Sequence, residues 1–165
     1  MIFYIISISK SWRHYLESEQ EPMNSQKPTY TFKKDDFKHY TFDKVRYGDT
    51  DKQGHVNNAM FARFFESSRT EILYHPDRPL HNEETSFVIA NMSIDFLSEI
   101  HWPGQVDLYA NVLRIGKSSI TFEQAIYQHD VLCGYSTCVI VHVSNETKKS
   151  TPLLPGAIDY LKTLK

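Results

Sequence analysis

Apolar side chains recur every three or four residues between positions 57 and 74, which is the spacing of one face of an α-helix. The members of this stripe are Met60, Phe61, Phe64, Phe65, Ile72 and Leu73. Asn57 or Asn58 can cap the helix, because an asparagine side-chain oxygen accepts a backbone N–H at a helix start. Pro76 marks the end. The pattern predicts one long helix from Asn57 to Tyr74.

On both sides of this helix the period changes to two, as in strands with one buried face. Tyr40 to Tyr47 is rich in aromatic and β-branched residues and predicts a first strand that ends at Gly48. Four further strands are centred on residues 91–96, 106–112, 120–126 and 138–143. Short turns between them favour an antiparallel meander. The predicted class is α+β, with one curved antiparallel sheet of about five strands wrapped around one helix.

The first 35 residues differ in character from the rest of the chain. Met1 to Ser9 is apolar but short, and it has neither the basic start nor the small-residue cleavage site of a secretory signal. The stretch that follows is polar and contains Pro22 and Pro28, as a tail or linker does. Met23 is an alternative start. We therefore expect residues 1–35 to be an extension, poorly structured or partly a mis-assigned start, and residues 36–165 to form one domain.

Composition disfavours a nucleic-acid partner, a membrane partner and a metal site. The 18 Lys and Arg residues are balanced by 20 Asp and Glu residues, which disfavours a nucleic-acid partner. No apolar run approaches the roughly 20 residues that cross a bilayer, so we expect no membrane partner. Cys133 and Cys138 lack metal or redox spacing and predict small buried side chains in a reducing, cytoplasmic compartment. The histidines form no zinc motif, and we expect no metal.

The densest polar cluster runs from Arg46 to Asn58, between the first strand and the helix. It holds two carboxylates, Asp49 and Asp51, just before a helix start whose unpaired N–H groups suit a developing oxyanion. A carboxylate there could attack a carbonyl or activate water. The same residues also suit an ordinary loop, in which Asp caps turns and Gly supplies positive φ. The residue types alone leave both interpretations open.

Residues 45–69, VRYGDTDKQGHVNNAMFARFFESSR, resemble the signature of the 4-hydroxybenzoyl-CoA thioesterase-like (YbgC-like) branch of the hotdog superfamily. The matching positions are Tyr47, Asp49, Asp51, Gly54, Val56, Asn57, Asn58, Phe61, Glu66 and Arg69. The order of strand, helix and four strands extends the resemblance over residues 36–150. The resemblance implies a hotdog fold and hydrolysis of acyl-CoA thioesters to free acid and CoA. It implies no cofactor beyond the CoA of the substrate.

The resemblance also implies roles for individual residues of the loop. Asp51 takes the position of the catalytic carboxylate, as nucleophile or as general base toward water. The backbone N–H groups of Asn57 and Asn58 would polarise the thioester carbonyl. Some relatives carry Tyr-His at these two positions, so a histidine-assisted mechanism has no equivalent residue here.

Four residues have supporting roles in this scheme, namely Asp49, Gly54, His55 and Glu66. Asp49 is expected to bond loop N–H groups. His55 could orient water or titrate near neutrality, although a lone loop histidine is more often a bystander. Glu66 matches a helix carboxylate of a second thioesterase subclass, but at helical spacing we expect it to pair with Arg63 or Arg69.

The turn after residue 113 resembles the Arg-x-Gly-x-Ser stretch of the same family. The resemblance implies contacts to CoA phosphates from Arg114, Gly116, Lys117 and Ser118. An ordinary tight β-turn explains the same residues equally well. Hotdog thioesterases join their sheets edge to edge with active sites at the subunit interface, so we expect a homodimer, or a tetramer of two dimers.

The sequence leaves three other functions open. A hotdog domain that binds acyl-CoA or acyl-carrier protein without hydrolysis would have the same elements. A hydratase or dehydratase on this fold usually needs a carboxylate–His pair, and Asp51 and His55 lack the flanking residues that we expect for it. A purely structural dimerisation module is the fourth alternative.

Overall fold

Five strands and two α-helices make up the part of the chain that the computed structural model describes, which is residue 30 and residues 33–165. In chain order they are β1 (His39–Val45), α1 (Asn58–Leu73), β2 (Thr85–Phe96), β3 (Gly104–Ile115), β4 (Ser119–Gln128), β5 (Val131–Ser144) and α2 (Pro155–Thr163). Short 3₁₀ turns cover Lys34–Asp36 and Tyr47–Asp49. The prediction for residues 1–35 lies almost entirely outside the described residues, and the helix prediction is confirmed to within one residue at each end.

All five strands form one antiparallel sheet in the order β1-β3-β4-β5-β2. The predicted meander is confirmed for β3, β4 and β5, but it is wrong for β2, which pairs with β5. The reason lies in residues 97–103, which run across the ends of β5 and β4 instead of making a tight turn. The N–H of Leu97 donates to the Cys133 carbonyl at 2.9 Å, and the N–H of His101 donates to Gln128 Oε1 at 2.8 Å.

Helix α1 packs its apolar stripe against the strands. Phe64 and Phe65 are fully buried, and each contributes roughly 1.5–3 kcal/mol by leaving water. The alternation predicted for β3 is confirmed, since Val106, Leu108 and Ala110 are buried between half-exposed neighbours. One helix enclosed by a single antiparallel sheet is the predicted α+β architecture.

Helix α2 is an element that the hydrophobic pattern did not predict. It is nine residues long, which is too short for a clear helical period. Ala157 and Leu161 bury its inner face in the core, and the N–H of Val112 donates to the Leu164 carbonyl at 2.7 Å. The C-terminal segment therefore closes the core at the end of the sheet where β3 finishes.

Both cysteines are free and buried, as predicted for Cys133 and Cys138. Burial raises the pKa of both thiols, which keeps them in the unreactive protonated form. They act as small core side chains.

Candidate active site

The loop between β1 and α1 folds back on itself in a tight turn. The N–H of Asp51 donates to the His55 carbonyl at 3.0 Å, and the N–H of Gly54 donates to the Asp51 carbonyl at 3.1 Å. Gly54 has a φ of 88°, a left-handed conformation that glycine adopts without strain. This turn brings the side chains of Asp51 and His55 together.

Asp49 is buried and ties the loop to the helix. Its carboxylate accepts the N–H of Arg46 at 2.7 Å and faces the Arg63 guanidinium at 3.4 Å. Its backbone carbonyl accepts the N–H of Asn57 at 2.9 Å. Asp49 therefore bonds loop N–H groups and leaves Asp51 as the more accessible carboxylate of the pair.

Asp51 has one oxygen fixed and one oxygen available. Oδ1 accepts the N–H of Gln53 at 2.8 Å, whereas Oδ2 lies 3.9 Å from Nδ1 of His55. The side chain is 28% exposed. A carboxylate held in this way presents a single oxygen for attack or for proton abstraction.

A cavity of about 200 Å³ opens beside this loop, at the start of α1. It is lined by His55, Val56, Asn58, Phe61, Phe96, Leu97, Ser98 and Glu99. Half of these residues are apolar, and the polar half includes a histidine, a carboxylate and the first residue of α1. Such a space suits an apolar group attached to a polar reacting centre.

The helix start differs from the prediction at one of its two N–H groups. The side chain of Asn57 caps the helix by accepting the N–H of Ala59 at 2.9 Å. The prediction that both N–H groups are available is wrong for Asn57, because its N–H is bonded to the Asp49 carbonyl. The N–H of Asn58, a cavity-lining residue, has no acceptor among the residues that the structure describes. One donor therefore remains for an oxyanion.

The sequence did not indicate the second wall of the cavity, which residues 96–99 form. Two backbone contacts bring this wall to the loop: the N–H of Val56 donates to the Ile100 carbonyl at 2.8 Å, and His55 pairs with His101. Glu99 Oε1 then lies 3.7 Å from Nε2 of His55. No local pattern marks this segment, because its role depends on where the chain crosses the sheet.

Glu66 does not pair with Arg63 or Arg69, so that prediction is wrong. Arg63 is drawn to the buried carboxylate of Asp49, and Arg69 enters the core, where it donates to Gln124 Oε1 at 3.0 Å. Glu66 instead lines a second cavity of about 100 Å³ beside β2. Glu66 lies eight residues beyond Asn58, which places it roughly 12 Å along the helix from its start.

The turn of Arg114, Gly116, Lys117 and Ser118 lies far from Asp51 within one chain. Gly104, at the start of β3, pairs with Val45 beside the active-site loop. Twelve residues of β3 lead from there to the turn, a distance of roughly 35 Å at strand spacing. The structure does not bring these four residues to the cavity of the same chain.

The described residues contain no metal-binding group of side chains and no membrane-spanning helix. In residue 30 and residues 33–165, no group of three or more His, Cys, Asp or Glu side chains is arranged to hold a metal ion. Neither α1 nor α2, the two helices described, is long and apolar enough to cross a membrane.

A long helix packed on a five-stranded antiparallel sheet of this order is the hotdog fold. The sequence profile of the thioesterase-like superfamily matches residues 45–160, and the chain belongs to that family. Membership makes it a thioester hydrolase.

Individual relatives agree with this assignment. The acyl-CoA thioester hydrolase YbgC of Escherichia coli is 25% identical over 118 residues, covering 70% of this chain and 88% of the relative. A predicted thioesterase from Bacillus stearothermophilus superposes with a TM-score of 0.68 at 28% identity, over 76% of this chain and 94% of its own. A thioesterase from Thermus thermophilus, complexed with coenzyme A and Zn, gives a TM-score of 0.66 at 24% identity, covering 76% and 98%. This last likeness concerns the fold.

Proposed function

We propose that this chain hydrolyses acyl-CoA thioesters to a carboxylic acid and CoA, with Asp51 as the catalytic carboxylate. The observation that carries the proposal is the available Oδ2 of Asp51 beside His55, a residue that lines a cavity together with Asn58 at the helix start. The names of the curated relatives support acyl-CoA as the substrate.

The mechanism uses the carboxylate of Asp51 and the N–H of Asn58. The thioester carbonyl oxygen accepts the N–H of Asn58, and the helix N-terminus stabilises the negative charge that develops on it. Asp51 Oδ2 then either attacks the carbonyl carbon or takes a proton from the attacking water. Phe61 and Phe96 provide apolar surface for the acyl group. No cofactor is required.

We also propose a homodimer in which two copies pair along β2. This strand is twelve residues long, and on its outer side Val88 and Ile89 are exposed. β2 lies at one edge of the sheet, and near its start the Tyr74 hydroxyl accepts the N–H of Phe87 at 3.0 Å. Antiparallel pairing of two such edges joins the sheets and removes an unprotected edge. Pairing of two dimers would give the tetramer.

The dimer gives the Arg114–Ser118 turn a role in the partner's site. The N–H of His142 donates to the Ser118 carbonyl, and His142 pairs with Phe87, so the turn lies at the Thr85 end of β2. In a two-fold pair this end meets the opposite end of the partner's β2, where the cavity opens. We propose that Arg114, Lys117 and Ser118 contact the CoA phosphates there.

A thiol-release assay tests the proposal directly. Purified protein is incubated with acyl-CoAs of different chain length and with an aromatic acyl-CoA, and free CoA is measured with a thiol reagent. Asp51→Asn should lower kcat by at least about 100-fold, because an amide neither attacks nor accepts the proton. The matched control Asp77→Asn, at an exposed position, should keep wild-type rates.

The other outcomes identify the alternatives. Binding of acyl-CoA without thiol release would indicate a non-catalytic acyl-CoA or acyl-carrier-protein binding domain. Loss of enoyl-CoA absorbance without thiol release would indicate a hydratase. Full activity of Asp51→Asn would overturn the assigned mechanism. We place the reaction in the cytoplasm, a proposal supported by the two free thiols.

A further inference from the structure

Four ionisable side chains form a continuous row beside the cavity, and only part of it belongs to the mechanism above. Asp51 Oδ2 lies 3.9 Å from His55 Nδ1, and His55 Nε2 lies 3.7 Å from Glu99 Oε1. Glu99 Oε2 lies 3.4 Å from Nε2 of His101. His55 thus has one ring nitrogen toward the catalytic carboxylate and the other toward a second carboxylate.

The backbone holds this row in place. His55 and His101 are partners in an antiparallel bridge, and the N–H of Val56 donates to the Ile100 carbonyl at 2.8 Å. Both main-chain groups of His101 are held by the buried amide of Gln128, each at 2.8 Å. The backbones of the Asp51 loop and of the Glu99 segment are therefore fixed relative to each other.

Of Asp51, His55 and Glu99, the last is the most exposed to solvent. The side chains of Asp51 and His55 are 28% and 22% exposed, whereas Glu99 is 63% exposed. His55 and Glu99 both line the cavity, so an acyl-CoA there would lie against both of them. Glu99 has the largest exposed fraction of the three and is the carboxylate with access to bulk water.

We propose that His55 and Glu99 relay to solvent the proton that Asp51 removes from water. The proposal rests on the function proposed above and extends it. His55 takes the proton from Asp51 at Nδ1 and releases the proton of Nε2 to Glu99, which passes it to bulk water. His55 carries the proton. Glu99 positions the His55 ring and accepts the proton of Nε2. His101, on the far side of Glu99, lies outside the relay.

The proton balance of the reaction leaves one proton on Asp51 in each turnover. Water contributes its oxygen to the acyl carbon, the C–S bond breaks, and the electron pair stays on sulfur. One proton of the water goes to Asp51, and the other, on the new carboxyl group, passes to the more basic thiolate. The products at neutral pH are a carboxylate and a thiol, so the proton on Asp51 must leave before the next turnover.

The distances are compatible with transfer once substrate binds. Both gaps, 3.9 Å and 3.7 Å, are longer than a hydrogen bond. Catalytic hydrogen bonds are often long in the free enzyme and tighten in the complex. The charged or titratable groups that face His55 are Asp51 from its own loop, and Glu99 and His101 from the crossing segment.

Chemical rescue tests the relay. His55→Ala should lower kcat about tenfold or more while KM changes by less than about twofold, because the relay acts after binding. Imidazole added to this variant should restore kcat with saturation, since it fits the space that the ring leaves beside the cavity. Thiol release is measured across pH 5.5–8.5, and the gain from imidazole should increase as its neutral form becomes available.

Two further variants separate a relay from a structural role. Glu99→Gln should lower kcat with KM kept, and in the His55→Ala/Glu99→Gln double variant imidazole should restore less activity. His101→Asn, at a residue that contacts Glu99 but lies outside the relay, should keep wild-type kcat.

Wild-type kcat in His55→Ala, a loss that imidazole does not restore, or an equal loss in His101→Asn would each overturn the relay. If His55→Ala does not fold, the kcat and pH profile of Glu99→Gln decide: wild-type values overturn the proposal. Failure of the proposed function looks different, because wild-type protein would then release no CoA at all.

Discussion

At the scale of single residues, Arg69 is a buried cation whose partner is an amide. Its Nη1 donates to Gln124 Oε1 at 3.0 Å, and Gln124 Nε2 donates to the Phe65 carbonyl at 2.8 Å. Cys138 Sγ lies 3.6 Å from the same Oε1. Gln124 is fully buried and links β4 to the middle of α1. A buried group with this many partners is costly to remove, because each partner is left unsatisfied.

Gln124→Leu should therefore destabilise the protein by roughly 3 kcal/mol, since it leaves the buried guanidinium of Arg69 without its amide partner and removes the hydrogen bond to Phe65. Urea unfolding followed by circular dichroism measures the change. Gln105→Leu, at an exposed position of β3, is the control and should alter the free energy of unfolding by less than about 0.5 kcal/mol. Equal unfolding midpoints for Gln124→Leu and wild type would contradict the assigned role.

His39 makes stability depend on pH. Desolvation by burial lowers the pKa of His39 below its ordinary value of 6.5, and the nearby Arg78 adds to this lowering. As pH falls through 6.5, the unfolded chain takes up a proton that the folded chain does not. The free energy of unfolding should therefore decrease between pH 7 and pH 5, and less so in His39→Gln. His129→Asn, in an exposed turn, should keep the wild-type pH dependence.

At the scale of elements, β5 and the start of α1 meet at a glycine. A Cβ at Gly134 would lie 2.9 Å from Cδ1 and 3.2 Å from Cε1 of Phe61, a ring that is itself buried. Phe61 also lines the cavity. The close packing of strand on helix therefore sets the position of one cavity wall.

Gly134→Ala should force the Phe61 ring to move and destabilise the protein by about 1–3 kcal/mol. Gly156→Ala is the matched change in α2, where the added methyl group meets no atom within 4 Å. Because alanine favours helix over glycine, it should stabilise the protein by up to about 1 kcal/mol. Thermal unfolding of both variants tests whether the two changes in stability have opposite signs. A neutral Gly134→Ala would show that the contact is not tight.

At the scale of the whole molecule, the open edge of β2 determines what a second copy can add. Ile89 is 51% exposed there, and Val131 is 51% exposed at the start of β5. Pairing of two copies along β2 would cover the Ile89 side chain. The proposed use of Arg114 and Lys117 in the partner's site depends on the same pairing, so assembly and activity are coupled.

Ile89→Lys should convert the dimer to a monomer, because pairing brings two lysines close together at the edge. Analytical ultracentrifugation should show half the wild-type mass, and kcat/KM for acyl-CoA should fall with it. Val131→Lys makes the same change at an equally exposed position away from the edge and should leave the mass unchanged. A monomeric wild type would exclude the edge dimer.

Much of the fold followed from local patterns. The stripe that includes Phe64 and Phe65 predicted α1, and the alternation around Leu108 predicted β3, because both periods report which face is buried. The position of β2 did not follow, since pairing with β5 instead of β3 depends on how residues 97–103 cross the sheet. Helix α2 was too short to show a period.

The residues of the site also divide into those that the sequence indicated and those that it did not. The loop that holds Asp51, Gly54 and His55 is contiguous in the chain, and its turn is encoded by its own residues. Glu99 comes from a segment more than forty residues away and joins the loop through a backbone bridge. No pattern around Glu99 could indicate this contact.

The sequence by itself determined the fold class, the long helix and the loop with its candidate carboxylate, because these depend on short-range periodicity and turn chemistry. Only the tertiary structure decided which N–H at the helix start remains available, where Arg63 and Arg69 find their partners, and which carboxylate stands next to His55. Those choices depend on competition between groups distant in the chain, and a buried acceptor such as Asp49 wins that competition because burial leaves it no water to bond.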